Sequence, residues 1–170
     1  MKRIVLLTVI LFIVLIQQNA TACDCMPMGP FLKVAPKTDF VALVKVTKYL
    51  SFQNIDDHPI PMSMEVSIID VYKGKEVRKT LTVWGDNGAL CRPYLSQFRT
   101  GNYYVIAFIP GSDGTKGHVH SDEKTSDYAI SVCGDYCLNV DTTKRMAIGY
   151  VDKKQNQISL GKLKVKLKLS

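Results

Sequence analysis

The chain has 170 residues, 46% hydrophobic, 22% charged and 9% aromatic, enough for one domain with its own core. That composition excludes long disorder, collagen-like repeats and coiled coil. The formal net charge of +7 is unevenly placed: Lys2 and Arg3 carry two charges, residues 23–152 are near neutral, and residues 153–170 hold six lysines and no acid. A nucleic-acid partner wants Lys and Arg spread along a face or groove, so this distribution argues against one.

The N-terminus reads as a secretory signal peptide over residues 1–22. Lys2 and Arg3 precede an apolar run from Ile4 to Ile16, then Gln17, Gln18 and Asn19, then the small-x-small site Ala20-Thr21-Ala22. The run is too short for a stable membrane-spanning helix. The processed chain then begins at Cys23, with a domain over 23–152 and a basic tail or edge strand over 153–170. The expected location is secreted and extracellular, or periplasmic and envelope-associated in a bacterial source.

Five strands follow in order. Phe40 to Tyr49 is β-branched and apolar. Residues 50–61 carry Asn54, Asp56, Asp57, Pro59 and Pro61 and read as a loop. Met62, Met64, Val66 and Ile68 alternate with polar residues until the phase slips at Ile68-Ile69, the mark of a β-bulge. Lys73-Gly74 turns the chain into a third strand, Thr80 to Trp84, closed by Gly85-Asp86-Asn87-Gly88. Tyr103 to Ile109 is a fourth strand, residues 111–127 a polar loop, and Tyr128 to Cys133 a fifth strand. Pro30 to Pro36 predicts one or two helical turns. Asp141 is a candidate N-cap for a helix over Thr142 to Tyr150. The expected fold is therefore all-β with one or two short helices, a small closed barrel, since closure removes exposed edges; a β-sandwich is the alternative.

All five cysteines, Cys23, Cys25, Cys91, Cys133 and Cys137, lie after the signal, which reads as a disulfide framework with one thiol left over. Neither C-x-C nor C-x₃-C matches the usual zinc spacing.

Three pieces together resemble the N-terminal domain of the tissue inhibitors of metalloproteinases, within the netrin-like group. C-D-C (23–25) stands directly after the cleavage site. M-E-V-S-I-I-D-V-Y-K-G (64–74) looks like that family's second strand and its turn. A-L-C-R-P-Y-L (89–95) leads into G-N-Y-Y-V-I-A-F (101–108), like its connector cysteine and following strand. The resemblance covers roughly residues 23–137. It implies a five-stranded closed Greek-key OB-fold barrel, bridges Cys23–Cys91 and Cys25–Cys133, and a zinc metalloproteinase as protein partner. It further implies an inhibitory wedge of Cys23, Asp24, Cys25 and Met26 with Ala89 and Leu90. The chain departs from the family in lacking its third bridge, in placing Asp24 where a small uncharged residue is usual, and in having Cys137.

In that reading Cys23 is the ligand to the target's zinc, and the chain holds no metal of its own. A catalytic zinc keeps one position open. A free N-terminal residue offers an α-amine and its own carbonyl oxygen as a five-membered chelate, and an amine with a pKa of roughly 7.7–8.0 is partly neutral at pH 7. Bridges on either side order the terminus before binding, so more of the contact energy appears as affinity. Two other readings of Cys23 stand beside this one: a plain structural staple, and lipidation at a site loosely like a lipobox, which would block chelation. Asp24 would face the pocket just past the scissile bond. An unpaired carboxylate in an apolar pocket costs several kcal/mol, so a target with a basic pocket suits it better.

No G-x-S-x-G, H-E-x-x-H or phosphate loop occurs, so the chain reads as no enzyme, with no cofactor expected. His118-Val119-His120 is a candidate metal pair with only His58 as a third imidazole. Trp84, Tyr103 and Tyr104 read as core and barrel rim, and Asp56-Asp57-His58 as solvated loop. Residues 161–169 alternate strictly between aliphatic residues and Lys162, Lys164, Lys166 and Lys168. As a strand this is an edge guarded by lysines, or a contact with an anionic surface.

Overall fold

The structure is a computed structural model that describes residues 25–55, 57–115 and 119–169. The expected signal peptide lies outside these residues. A short helix α1 (Phe31–Val34) runs into a 3₁₀ turn (Ala35–Lys37) and then eight strands: β1 (Phe40–Ile55), β2 (His58–Lys73), β3 (Thr80–Trp84), β4 (Tyr103–Pro110), β5 (Tyr128–Ala129), β6 (Cys137–Asp141), β7 (Met146–Asp152) and β8 (Gln155–Ser159). Helix α2 (Leu160–Lys168) follows.

Five strands close a mixed OB-like barrel in the order β1-β2-β3-β5-β4, with β4 returning to β1. Closure comes from Val41–Lys45, which pair with β2 on one edge and with Ala107–Tyr103 of β4 on the other. The β3–β5 pair is parallel, Val83 opposite Tyr128 and Trp84 opposite Ala129. Ala42, Val44, Met64, Val66, Val83 and Ile106 fill the interior, all fully buried, and the Phe40 and Phe108 rings stack with centroids 5.4 Å apart.

The bulge read from the sequence is present. Leu43 pairs with Asp70 and Val44 with Ile68, which leaves Ile69 as the extra residue, half exposed. The Lys73-Gly74 turn is held by the Lys73 ammonium, which donates to the carbonyls of Pro36 and Thr38. Gly74 has φ +81°, and a Cβ there would meet the Asp39 carbonyl at 2.2 Å, so the turn admits only glycine.

The structure corrects four expectations. Residues 50–61 are not a loop: β1 and β2 continue as a hairpin arm to Ile55 opposite His58. Pro59 and Pro61 are tolerated because β3 pairs no further than Ser63, so the arm has a free edge where a missing N–H breaks no ladder. The fifth strand stops at Ala129 rather than Cys133, because β6 takes the next part of the β4 edge, from Tyr104 to Ile106. Thr142 to Tyr150 is not a helix. Asp141 Oδ1 accepts from the Lys144 N–H and Arg145 has φ +54°, a tight turn from β6 into β7. Ala147 and Val151 then point inward while Ile148 and Tyr150 face out, a period of two.

The fourth correction concerns 161–169, which form helix instead of an edge strand. The Ser159 side chain caps the Lys162 N–H, and Lys166 and Lys168 sit in the last turn, where the helix dipole favours cations. On a helix only Leu163 and Leu167 share the inner face, at 0% and 1% exposure, while Val165 is 58% exposed. Lys164 is not on a lysine face: its ammonium pairs with both Asp70 oxygens at 2.6 and 2.7 Å. The segment thus belongs to the same body as the barrel, because Leu163 and Leu167 join its core.

Leu163→Ala and Leu167→Ala should each cost about 2–4 kcal/mol in urea unfolding, by cavity formation. Val165→Ala should change stability by under about 0.5 kcal/mol. Equal costs at the three positions would contradict the helical phase.

Candidate functional site

Three backbone segments lie side by side where the chain enters the barrel. Cys25 is disulfide-bonded to Cys133, with Cα atoms 5.5 Å apart. The Met28 N–H donates to the Cys133 carbonyl at 2.6 Å, and the Asp135 N–H to the Gly29 carbonyl at 3.1 Å. On the other side of the same segment the Val132 N–H donates to the Cys91 carbonyl at 3.2 Å. Residues 131–135 are therefore a common support for the N-terminal stretch and for the loop that carries Ala89 and Leu90. Of the six expected wedge residues, Cys23 and Asp24 lie outside the described residues. Cys25 is bonded to Cys133 and Met26 follows it directly, while Ala89 and Leu90 lie just before Cys91, whose carbonyl accepts the Val132 N–H. Met26 is 88% exposed, and Ala89 is exposed as well.

The 85–93 loop is fixed from within. Leu90 N–H donates to Asp86 Oδ1 at 2.7 Å and Ala89 N–H to Asn87 Oδ1 at 3.1 Å. Asp86 N–H donates to the Pro93 carbonyl, and Arg92 N–H to that of Leu90. From outside it is held by an ion pair the sequence pattern did not reveal. Arg92 Nη1 and Nη2 donate to Glu123 Oε2 and Oε1 at 2.7 and 2.8 Å. Their side chains are 9% and 0% exposed. Glu123 Oε1 also accepts the Ser112 N–H at 2.7 Å. This bidentate geometry satisfies both groups where neither could be left unpaired.

Beside it, Trp84 donates its indole N–H to Asp127 Oδ2 at 2.9 Å. The His120 ring stacks on Trp84 at 4.8 Å, with Nε2 2.9 Å from the Gly85 carbonyl. His120 is thus occupied in packing the base of the loop, and no metal-ligating group of three is found among the described residues. His118 is outside those residues. His58 and Asp57 are exposed in the tip of the hairpin arm. Tyr104 is buried and accepts the Arg99 N–H, and Tyr103 lies under the Lys45 ammonium, as core and rim.

The polar loop is anchored at its far end too. Arg78 clamps Glu76 with bonds of 2.6 and 3.0 Å and donates to the Ser126 carbonyl. The Arg78 hydrogen bonds pull the Glu76 carboxyl down to about 2.

Cys91 is also disulfide-bonded, and its expected partner, Cys23, lies outside the described residues. Among the described residues Cys137 is the free thiol. Burial, and secondarily the Asp135 charge, push it well above the ordinary thiol range, which suppresses thiolate chemistry. A disulfide fits an oxidising compartment, and no helix among the described residues is long and apolar enough to cross a membrane.

A scan of the chain against protein-family models finds no match, and a search of curated proteins finds none.

Glu123→Gln should lower stability by about 3 kcal/mol, or roughly 10 °C in Tm, because it leaves the Arg92 charge buried and uncompensated. Differential scanning calorimetry checks this. Iodoacetamide at pH 8 should leave Cys137 unmodified in the native protein and label it alone after denaturation without reductant. Labelling of Cys25 or Cys133 would contradict the bridge.

Proposed function

We propose that this chain is an exported, non-enzymatic inhibitor of a zinc metalloproteinase, which presents the N-terminal amine and carbonyl of Cys23 to the target's catalytic zinc. The observation that carries this reading is the shared support under Cys25–Met26 and Ala89–Leu90. A disulfide and three backbone hydrogen bonds fasten both to residues 132–135.

Such an edge suits an enzyme cleft for a physical reason. Association loses affinity to every segment it must order, and a terminus is ordinarily the most mobile part of a domain. Here the chain is tied at Cys25, two residues from the proposed chelating atoms. The exposed Met26 offers an apolar side chain next to that tether, and large apolar side chains are suited to anchoring an interface. The bidentate Arg92–Glu123 pair keeps the second rim of the wedge from relaxing away. Asp24 then sets the preference: its carboxylate selects a target pocket with a basic lining and disfavours an apolar one.

The test is to block the amine while leaving the barrel alone. One Ala added before Cys23 converts the amine to an amide, a poor zinc ligand. Inhibition of a susceptible zinc protease should fall at least about 100-fold, which is roughly 3 kcal/mol, while Tm moves by no more than about 1 °C. If the extended protein inhibits as well as the native one, the chelating terminus is wrong. A netrin-like binding module without inhibition, or an envelope protein anchored by a lipid on Cys23, then takes its place.

A further inference from the structure

The lysines near the C-terminus do not form the face that alternation suggests, yet the fold gathers a different set. Lys166 and Lys162 lie one helical turn apart on the exposed side of α2, away from the buried Leu163 and Leu167. The helix packs against β7 and β8, and the turn between those strands carries Lys153 and Lys154, both exposed. The Asp152 carboxyl at its root is held below the usual range by the Lys154 N–H, with Gln155 and then the Lys166 charge adding to it. Across the turn stands Lys33 of α1. Pro30, Leu32, Lys33, Asp152, Lys153 and Lys154 line one open, mainly apolar recess of about 480 Å³. Asp152 is closed on its own turn, accepting from Lys154 and from Gln155, and Asp70 is taken by Lys164. The face is left with a positive field, although residues 23–152 as a whole are near neutral.

Two aliphatic side chains stand among these lysines with nothing over them. Val165 is 58% exposed and Leu169 is 84% exposed. On the helical wheel they fall between the Lys162–Lys166 edge and the Lys164–Lys168 edge. Lysine stems can lie along apolar surface while their heads reach outward. We propose that this face, built from α2, the β7–β8 turn and α1, docks onto an anionic lipid bilayer, with Lys33, Lys153, Lys154 and Lys166 on the headgroups and Val165 and Leu169 entering the interface. Charge complementarity supplies most of the attraction, at roughly fivefold in affinity per lysine near the surface. The aliphatic pair distinguishes a bilayer from a polyanion such as a sulfated glycan, which has no apolar layer to receive it. The face shares no residue with the zinc-directed edge, so the two proposals stand or fall separately.

The experiment is co-sedimentation of the processed chain with vesicles of 30% phosphatidylglycerol in phosphatidylcholine, against vesicles of phosphatidylcholine alone. Binding is expected to the first and not to the second, and it should weaken steeply as NaCl rises. The triple variant Lys153→Glu, Lys154→Glu, Lys166→Glu should lose binding by at least about 100-fold. The double variant Val165→Ser, Leu169→Ser should lose it by about tenfold. All five positions are exposed, so circular dichroism should be unchanged. The proposal is overturned if both vesicle types bind equally or neither binds, or if the lysine variant binds like the native chain. It is likewise overturned if the serine variant keeps full vesicle binding, which would mark a plain polyanion surface. The Ala-extended protein should bind vesicles like the native chain whether or not it inhibits a protease.

Discussion

Everything in this molecule depends on β1 pairing along both of its edges. From Val41 to Lys45 it gives one edge to β2 and the other to β4. A strand used in this way leaves no open edge over that stretch, so the sheet closes and its inner side chains meet across a small interior. Closure also dictates where the remaining elements go. The β4 edge opposite β1 is shared between the two residues of β5 and the start of β6. The chain between them leaves the β4 edge over residues 130–135 and rejoins it at Tyr136, whose carbonyl accepts the Ala107 N–H. That displaced stretch is what both the N-terminal segment and the Cys91 loop rest on.

The supports of this region differ in kind. The Cys25–Cys133 bond spans 108 residues, so on the chain-entropy view it removes a large loop from the unfolded ensemble, worth about 4–5 kcal/mol. The Arg92–Glu123 pair acts in the opposite way. Its attraction is offset by desolvation, so its net contribution is small, but losing one partner strands a buried charge. The disulfide therefore supplies stability, and the ion pair supplies position, fixing the 85–93 loop against residues 112 and 123. For the edge proposed as inhibitory, the second property counts as much as the first, since preorganisation and not gross stability lowers the cost of binding.

Charge is partitioned in the same spirit. Acids on the barrel are mostly committed: Glu123 to Arg92, Glu76 to Arg78, Asp70 to Lys164, Asp127 to Trp84. Several lysines of residues 153–168 have no such partner among the described residues. A near-neutral body with a localised basic face gives a directional field, which orients a molecule on an anionic surface.

The amino-acid sequence by itself determined the strands that carry a strong period and a clear stop. The first four strands, the slip at Ile69, the glycine turn at Gly74 and the short helix after Pro30 were all legible, because each depends on neighbouring residues alone. The helix at 161–169 was misread as a strand since Leu163, Val165, Leu167 and Leu169 satisfy a period of two. A helix needs only the Leu163–Leu167 pair, and the presence of a core surface to receive that pair was not a local fact. The 50–61 arm and the β6–β7 hairpin were hidden for a related reason. Prolines in a strand are harmless only on a free edge, and Asp141 serves equally to cap a helix or close a turn, so both outcomes waited on which strands lay alongside. At the candidate site, the Cys25–Cys133 bridge was legible through the resemblance that the C-D-C start and its companion motifs carry. Arg92 with Glu123, and Trp84 with His120 and Asp127, were not, for each joins residues 31 to 43 apart and no short-range pattern records a contact that only barrel closure creates.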